Sequence, residues 1–451
     1  MEDICERLLG RHGVDYLEVR FHRREFFQLR ASGGEFEGKV SGVFEGYGVR
    51  VLVDGAWGFS ATSSDLEAAV ERAVKMARAC SRAKKEKAEL GEARLATGEF
   101  TTPLRDDPRD HSVDEKVEMV LRTERAMREE GVAAATVLYR EYVDKKHIWT
   151  SDGANVRITT VKPSAIFMAY AREGDRVISH YRGHGVTGGW DALFTIPMEE
   201  RGRAVAREAM ELLHAPLPEG GKSVVVLHPD VVGLLAHEAV GHNVEADMVL
   251  SGSFTTGKIG QKVASELITM VDSGDEETAA GTIFVDDEGV IAGKTVVIEK
   301  GVLKSYLLDR ERAAIFGTES TGNARAFEFT CVPLIRMRNT YIEPGDWRKE
   351  EIIEDTKDGY FLEGGLNGQA DSNGEFMFGI AIMRKIEKGE IVGLCRGTTM
   401  TGNAFEVLKN VDAVSREFQF AMGFGHCGKW QPAKVDGGGP YLRTTALIGG
   451  R

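Results

Sequence analysis

The sequence predicts an α+β protein of two domains. Residues 1–215 read as an N-terminal α+β domain, and residues 222–451 as a β-rich domain, an antiparallel sheet or barrel-like body that also carries a motif helix. Three observations lead there. A chain of 451 residues exceeds the size at which a single hydrophobic core usually stops growing. The stretch His214-Ala215-Pro216-Leu217-Pro218-Glu219-Gly220-Gly221 combines prolines and glycines densely enough to break any regular element. Before that break helical and strand patterns alternate; after it most segments are short, β-rich and punctuated by glycine.

In chain order, Tyr16–His22 alternates apolar and polar side chains with the period of a half-buried strand. Val49–Val53 is a second strand, and Asp54-Gly55 after it marks a hairpin turn. Ser64-Asp65-Leu66-Glu67 has the spacing of a capping box and opens a helix with Leu66, Ala69, Val70, Ala73, Val74 and Ala77 on one stripe. A second box, Ser112-Val113-Asp114-Glu115, opens a helix carrying Val117, Val120 and Leu121 that Gly131 closes. Strands return at Thr136–Tyr139, His147–Thr150 and Val156–Thr160, with Asp152-Gly153 turning between the last two. Met198–Leu213 is a helix. Beyond the break, Ser223–His228 is a strand, and Pro229-Asp230 leads into a further helix. The later strands are placed at Gly281–Asp286, Thr295–Glu299, Leu303–Leu308, Phe376–Lys385 and Glu390–Leu394.

Composition excludes several classes. The net charge is −13, and no sustained basic stripe marks a nucleic-acid binder. The densest basic run, Arg82–Lys87, contains Glu86 and reads as a solvated helix end. A charged N-terminus without an apolar core and the absence of about 18 consecutive apolar residues speak against a signal peptide and a membrane span. Five scattered cysteines, an odd number, make no disulfide framework, so a cytoplasmic location is expected.

The chemistry concentrates in His237-Glu238-Ala239-Val240-Gly241-His242. Imidazole is the commonest protein ligand for zinc, and a carboxylate beside a metal site is a natural base for water. The spacing departs from the usual protease motif. Histidines at i and i+4 lie about 40° apart around a regular helix, whereas i and i+5 lie about 140° apart. Both imidazoles reach one ion only if the helix is distorted, and Gly241 is the expected place for a π-bulge. Glu245 is a poor third ligand, since eight helical residues carry it about 12 Å from His237. Context nominates Cys427, flanked by glycines in Gly423–Lys429, with His426 as the adjacent alternative. Glu319–Arg325 reads as a polar loop, and Gly364–Gln369 and Gly437–Gly439 as segments flexible enough to line a cleft; neither has the lysine and hydroxyl of a phosphate-binding loop.

These residues resemble the H-E-x-x-x-H segment of the TldD/PmbA family of zinc metallopeptidases. The likeness continues through Glu245 and Asp247, Glu319–Arg325, Asn339-Thr340-Tyr341 and Cys427-Gly428-Lys429, and at the N-terminus through Gly48–Val51 and Gly55–Phe59. The resemblance implies a Zn²⁺ held by His237, His242 and Cys427, with Glu238 as catalytic base. It also implies a two-domain α+β fold with its active site in the C-terminal domain. The expected substrates are unfolded or leader-type peptides, bound extended against the β-rich domain. The expected assembly is a homodimer, or a heterodimer with a PmbA/TldE-like subunit that lacks the motif; neither nucleic acid nor membrane is an expected partner. A metal-dependent amidohydrolase acting on a small molecule, or a non-catalytic subunit with a structural metal site, are the alternatives.

Overall fold

The computed structural model describes residues 2–451. Its N-terminal half is built on one seven-stranded sheet. From one edge the order is Ala56–Thr62, Glu35–Val53, Tyr16–Ser32, Ala134–Thr150 and Asn155–Glu173; Thr97–Thr101 and Arg176–Gly185 then share the far side of the last strand. All pairings are antiparallel except that of Thr97–Thr101. The segments expected at Thr136–Tyr139 and His147–Thr150 are one continuous strand, because Lys145 and Lys146 between them pair with Thr159 and Ile158 without interrupting the ladder.

Helices cover this sheet with their apolar stripes. Leu66–Ser81 sets Val70, Ala73 and Val74 against Leu17, Val19, Val49 and Val51. Its cap is Asp65, which accepts from Ala68 N; the box expected from Ser64 does not form, because Asp65 holds the extended conformation a cap requires. Val113–Glu129 does open with the Ser112/Glu115 box, and with Met198–His214 it buries Val120, Met127, Val205 and Ala209 on Val137, Tyr139 and Phe167.

The second half contains an eleven-stranded sheet whose centre closes on itself. Gly221–Leu227 pairs in parallel with Asp358–Ala370 and antiparallel with Asp436–Ile448. Asp358–Ala370 pairs with Glu375–Glu387, that strand with Thr399–Asn403, and Thr399–Asn403 returns to Asp436–Ile448. Five strands thus form a ring without a free edge, a small β-barrel. Residues 281–286 are not a strand; their backbone is spent on turns and on the isolated bridge Val285–Ile291. Of the segment placed at 303–308, only Leu303 is in a ladder, as the end of the two-residue strand Val302–Leu303.

The break at 214–221 leads directly into the barrel strand Gly221–Leu227. After Leu227, the helix Pro229–Leu234 and the π-helical stretch Leu235–Gly241 run into the barrel core. There Val231, Leu235 and Ala239 are buried with Leu227, Leu362, Phe378 and Leu442. Gly437–Gly439 is not a flexible loop. It is buried backbone of the strand Asp436–Ile448, and it lets the helix approach so closely that a Cβ on Gly233 would stand 2.6 Å from Gly437 C. No helix among the described residues is long and apolar enough to cross a membrane.

Buried ion pairs fasten the two halves together. Arg50 donates to Glu18 of its own half and to Glu288 of the other, at 2.6 and 2.7 Å. Lys146 reaches Asp287 at 2.7 Å, and Arg20 lies beside it. Burial raises the Asp287 carboxyl, but Lys146 and Arg20 overcome it and bring the group down to about 2. A depressed acid stabilises the fold above its unfolded value of 3.8 and ceases to do so as pH falls towards 2. The natural chain is therefore expected to lose about 2 kcal/mol more than Asp287→Asn between pH 5 and pH 2, as measured by urea unfolding. Equal losses in the two proteins would rule out this linkage.

Candidate metal centre

The extra residue in the histidine motif is absorbed by the helix itself. Leu235–Gly241 is π-helical, and the His242 backbone N–H donates to the carbonyl of His237, an i→i+5 bond that sets the second histidine over the first. Their ring centroids are 5.2 Å apart. Gly241 is needed for close approach: a Cβ there would lie 2.1 Å from Met337 Sδ. The π-turn ends in the short 3-10 segment His242–Val244, after which Glu245 leaves the helix with extended geometry.

Cys427 comes to the histidines from 185 residues away. It lies on the hairpin His426–Lys429/Gln431–Lys434, with Trp430 at the tip. Its Sγ is 3.1 Å from His242 Nε2, and donor atoms of His237, His242 and Cys427 all fall within 4.8 Å of one another. His426, the alternative from sequence, contacts the Tyr142 and Phe327 rings and is not part of this cluster. Glu238 stands beside the cluster, with Oε2 3.8 Å from His242 Nε2.

Glu245 does not join the cluster, yet it has a role that helical spacing concealed. It is fully buried, and His242 Nδ1 donates to its Oε2 at 3.0 Å. That bond places the proton on Nδ1 and turns the Nε2 lone pair towards Cys427. Lys429 Nζ then bridges Glu245 at 2.9 Å and both carboxylate oxygens of Asp247. Burial would raise the Glu245 carboxyl, but His242 and Lys429 bring it down to about 2. Burial likewise would raise the Cys427 thiol, while charge and hydrogen bonding from His237 and His242 lower it to about 4.

A second residue that the sequence did not reveal is Arg336, which is 1% exposed. Its Nη2 donates to the Cys427 carbonyl at 2.7 Å and its Nη1 to the Gln431 carbonyl, so one guanidinium holds both arms of the cysteine hairpin. The only hint in sequence is the unusual Ile335-Arg336-Met337-Arg338 alternation in a buried stretch. Arg338 pairs with Asp272, which also accepts from Asn323; Arg325 donates to the Met337 and Lys434 carbonyls. The polar 319–325 segment is therefore scaffolding behind the cluster. Arg336→Met should cost about 2–4 kcal/mol in chemical denaturation, since two charge-assisted bonds to buried carbonyls are lost. An unchanged midpoint would remove Arg336 from this role.

The cluster opens on a cleft of about 570 Å³ between the two halves of the chain, with His237, Glu238 and Cys427 in its wall. Gly364, Gly365 and Gly368 line it as expected, on a bulged strand. The N-terminal half also contributes to the wall, so the cleft is not confined to the C-terminal half as the family resemblance implies. Arg182 there is held by Glu208 at 2.7 Å, whereas Arg201 has no ion pair among the described residues.

The donor set suits a metal ion. Two imidazoles and a thiolate match the ligand preferences of zinc, and ligand atoms of a tetrahedral site lie about 3.5 Å apart, inside the observed 4.8 Å envelope. A thiolate and an imidazole lone pair facing each other at 3.1 Å need a proton or a cation between them. His237 Nδ1 is also buried without a hydrogen-bond partner.

Comparison with known proteins divides the chain into three parts rather than the two expected from the sequence. Three family models match: PmbA/TldA metallopeptidase domain 1 at residues 17–77, the central domain at 106–215 and the C-terminal domain at 220–448. They separate the N-terminal half into two parts, although Tyr16–Ser32 and Ala134–Thr150 are neighbours in one sheet. A metalloprotease of Methanothermobacter thermautotrophicus is 34% identical over 443 residues, covering 97% of this chain and 96% of its own. The zinc metalloprotease TldD homolog of Saccharolobus solfataricus is 28% identical over 445 residues, covering 97% of each. Among solved structures, a Thermotoga maritima protein named for modulation of a DNA gyrase superposes with a TM-score of 0.83 at 23% identity, and TldE from Thermococcus kodakarensis with 0.79 at 21%, each covering 99% of both chains. These two structures share the fold.

Proposed function

The chain belongs to the PmbA/TldA metallopeptidase family, and on that premise we propose that it is a zinc-dependent peptidase acting on unfolded or leader-type peptides. One observation carries the reading: the donor atoms of His237, His242 and Cys427 converge within 4.8 Å beside Glu238, in the wall of a cleft of about 570 Å³. A catalytic zinc has three protein ligands and an open position, and this cluster supplies three.

When bound, zinc would supply Lewis acidity, making water more acidic and polarising a peptide carbonyl. The rest is done by the chain. Glu238 Oε2 accepts the proton of the attacking water and returns it to the departing amine. Glu245 fixes the His242 ring through Nδ1, and Lys429 keeps Glu245 charged. Arg336 holds the hairpin that presents Cys427. The strand Ala413–Phe420 pairs on one side with Asp436–Ile448, and Gln419 and Phe420 at its end reach the cleft. Their backbone groups favour an extended peptide, whose main chain can pair there without regard to sequence. The shared fold with TldE supports assembly with a similar chain, either a second copy or a TldE-like subunit.

The test is hydrolysis of an unfolded polypeptide by the full-length chain, followed by mass spectrometry of the products. Treatment with a zinc chelator should abolish cleavage, and stoichiometric zinc should restore it. Cleavage that survives complete removal of metal would refute the proposal.

A further inference from the structure

A second cavity, of about 60 Å³, lies on the other side of the cysteine hairpin. Cys427 faces the cleft, while Lys434, on the paired strand, faces this cavity. The volume exceeds what a single water needs by several-fold and accommodates a small polyatomic ion.

The walls are cationic. Arg24, Lys146, Lys162, Arg325 and Lys434 contribute five basic side chains, of which burial pushes the Lys162 ammonium well below its ordinary value. Against them stand two carboxylates, Asp144 and Asp287. Both carboxylates are already committed: Asp144 accepts from Arg24 Nε and Nη2, and Asp287 from Lys146. Lys162 is satisfied by Thr187 Oγ1 and the carbonyls of Ala280 and Thr282, and Arg325 by the carbonyls of Met337 and Lys434.

Two cationic donors remain. Lys434 Nζ is buried with no hydrogen-bond partner, on a residue only 7% exposed. Arg24 Nη1 is buried and unpartnered in the same cavity wall. Buried charges are ordinarily paired, because desolvating an ammonium or guanidinium without compensation is costly. Burial pushes the Lys434 ammonium down to about 7, with Asp436 opposing that shift and Arg140 adding to it.

We propose that this cavity is an anion site, in which Lys434 Nζ and Arg24 Nη1 bind a small oxyanion, a carboxylate or an inorganic phosphate. A bound anion would neutralise the excess positive charge behind the hairpin that presents Cys427. The site is separate from the cleft and does not depend on the peptidase reading.

The full chain is titrated with sodium acetate and, separately, with sodium phosphate. Ionic strength is held constant with sodium chloride, whose monatomic anion lacks the oxygen acceptors of a carboxylate or phosphate. Melting temperature is the readout, and at least one of the two anions should raise it saturably. Acetate alone would identify a carboxylate site, phosphate alone an inorganic oxyanion site, and both a general oxyanion site. Lys434→Met and Arg24→Gln should each weaken the apparent affinity at least tenfold, whereas Lys39→Met, at an exposed position, should leave it unchanged. Should Lys434→Met fail to fold, Arg24→Gln decides alone. No saturable rise with either anion, or affinities within threefold of the natural chain in the cavity variants that fold, would overturn the proposal.

Discussion

Replacing Glu238 with glutamine should leave the zinc content of the protein unchanged and lower peptide hydrolysis by about 10²–10⁴-fold, the usual contribution of a positioned general base. The substitution keeps the shape of the side chain and removes only its capacity to take a proton. Glu238 is partly exposed on the cleft wall, so the exchange leaves no buried charge unpaired. Its Oε2 lies 3.8 Å from His242 Nε2, close enough to serve a reaction centred on the histidine pair without occupying the ligand cluster. Metal analysis alongside single-turnover cleavage separates the two effects. A loss smaller than tenfold with full zinc would exclude Glu238 from proton transfer, and loss of zinc itself would recast it as a ligand.

Cys427→Ala is expected to produce a different failure, folded protein that no longer retains zinc. The thiol packs with Ala433 and Val435 in a small cluster, and its removal leaves a cavity of roughly one atom, costing about 1 kcal/mol. The loss in zinc affinity should be at least about 100-fold, since losing even a partner outside the ligand set costs 10–100-fold. His426→Ala is the matched comparison, because that ring lies against Tyr142 and Phe327, away from the cluster. Competition with a chromophoric chelator measures both. Retained zinc affinity in Cys427→Ala would remove the cysteine from the site.

What the sequence disclosed followed from local rules. The Ser112 box, the hairpin turn at Asp54-Gly55 and the helix from Met198 each depend on neighbours in the chain, and each is present. The motif's awkward i,i+5 spacing also carried usable information: it demanded a distorted helix, and the π-turn bonds His242 N to His237 O. What stayed hidden depends on pairings distant in sequence. Closure of the barrel requires Gly221–Leu227 to meet both Asp358–Ala370 and Asp436–Ile448, and no local pattern announces that. Helical spacing carries Glu245 away from His237 only if the helix is continuous; the chain turns out of the helix at that residue and brings it back to His242. Arg336 could not be distinguished from any other buried arginine until the cysteine hairpin was placed beside it.

The central claim is that His237, His242 and Cys427 together hold the metal. X-ray absorption at the zinc edge of the purified, zinc-loaded chain tests it most directly. The account predicts one sulfur at about 2.3 Å and two imidazole nitrogens at about 2.0–2.1 Å around a single zinc per chain. A zinc shell of nitrogen and oxygen alone, with no sulfur, would contradict it.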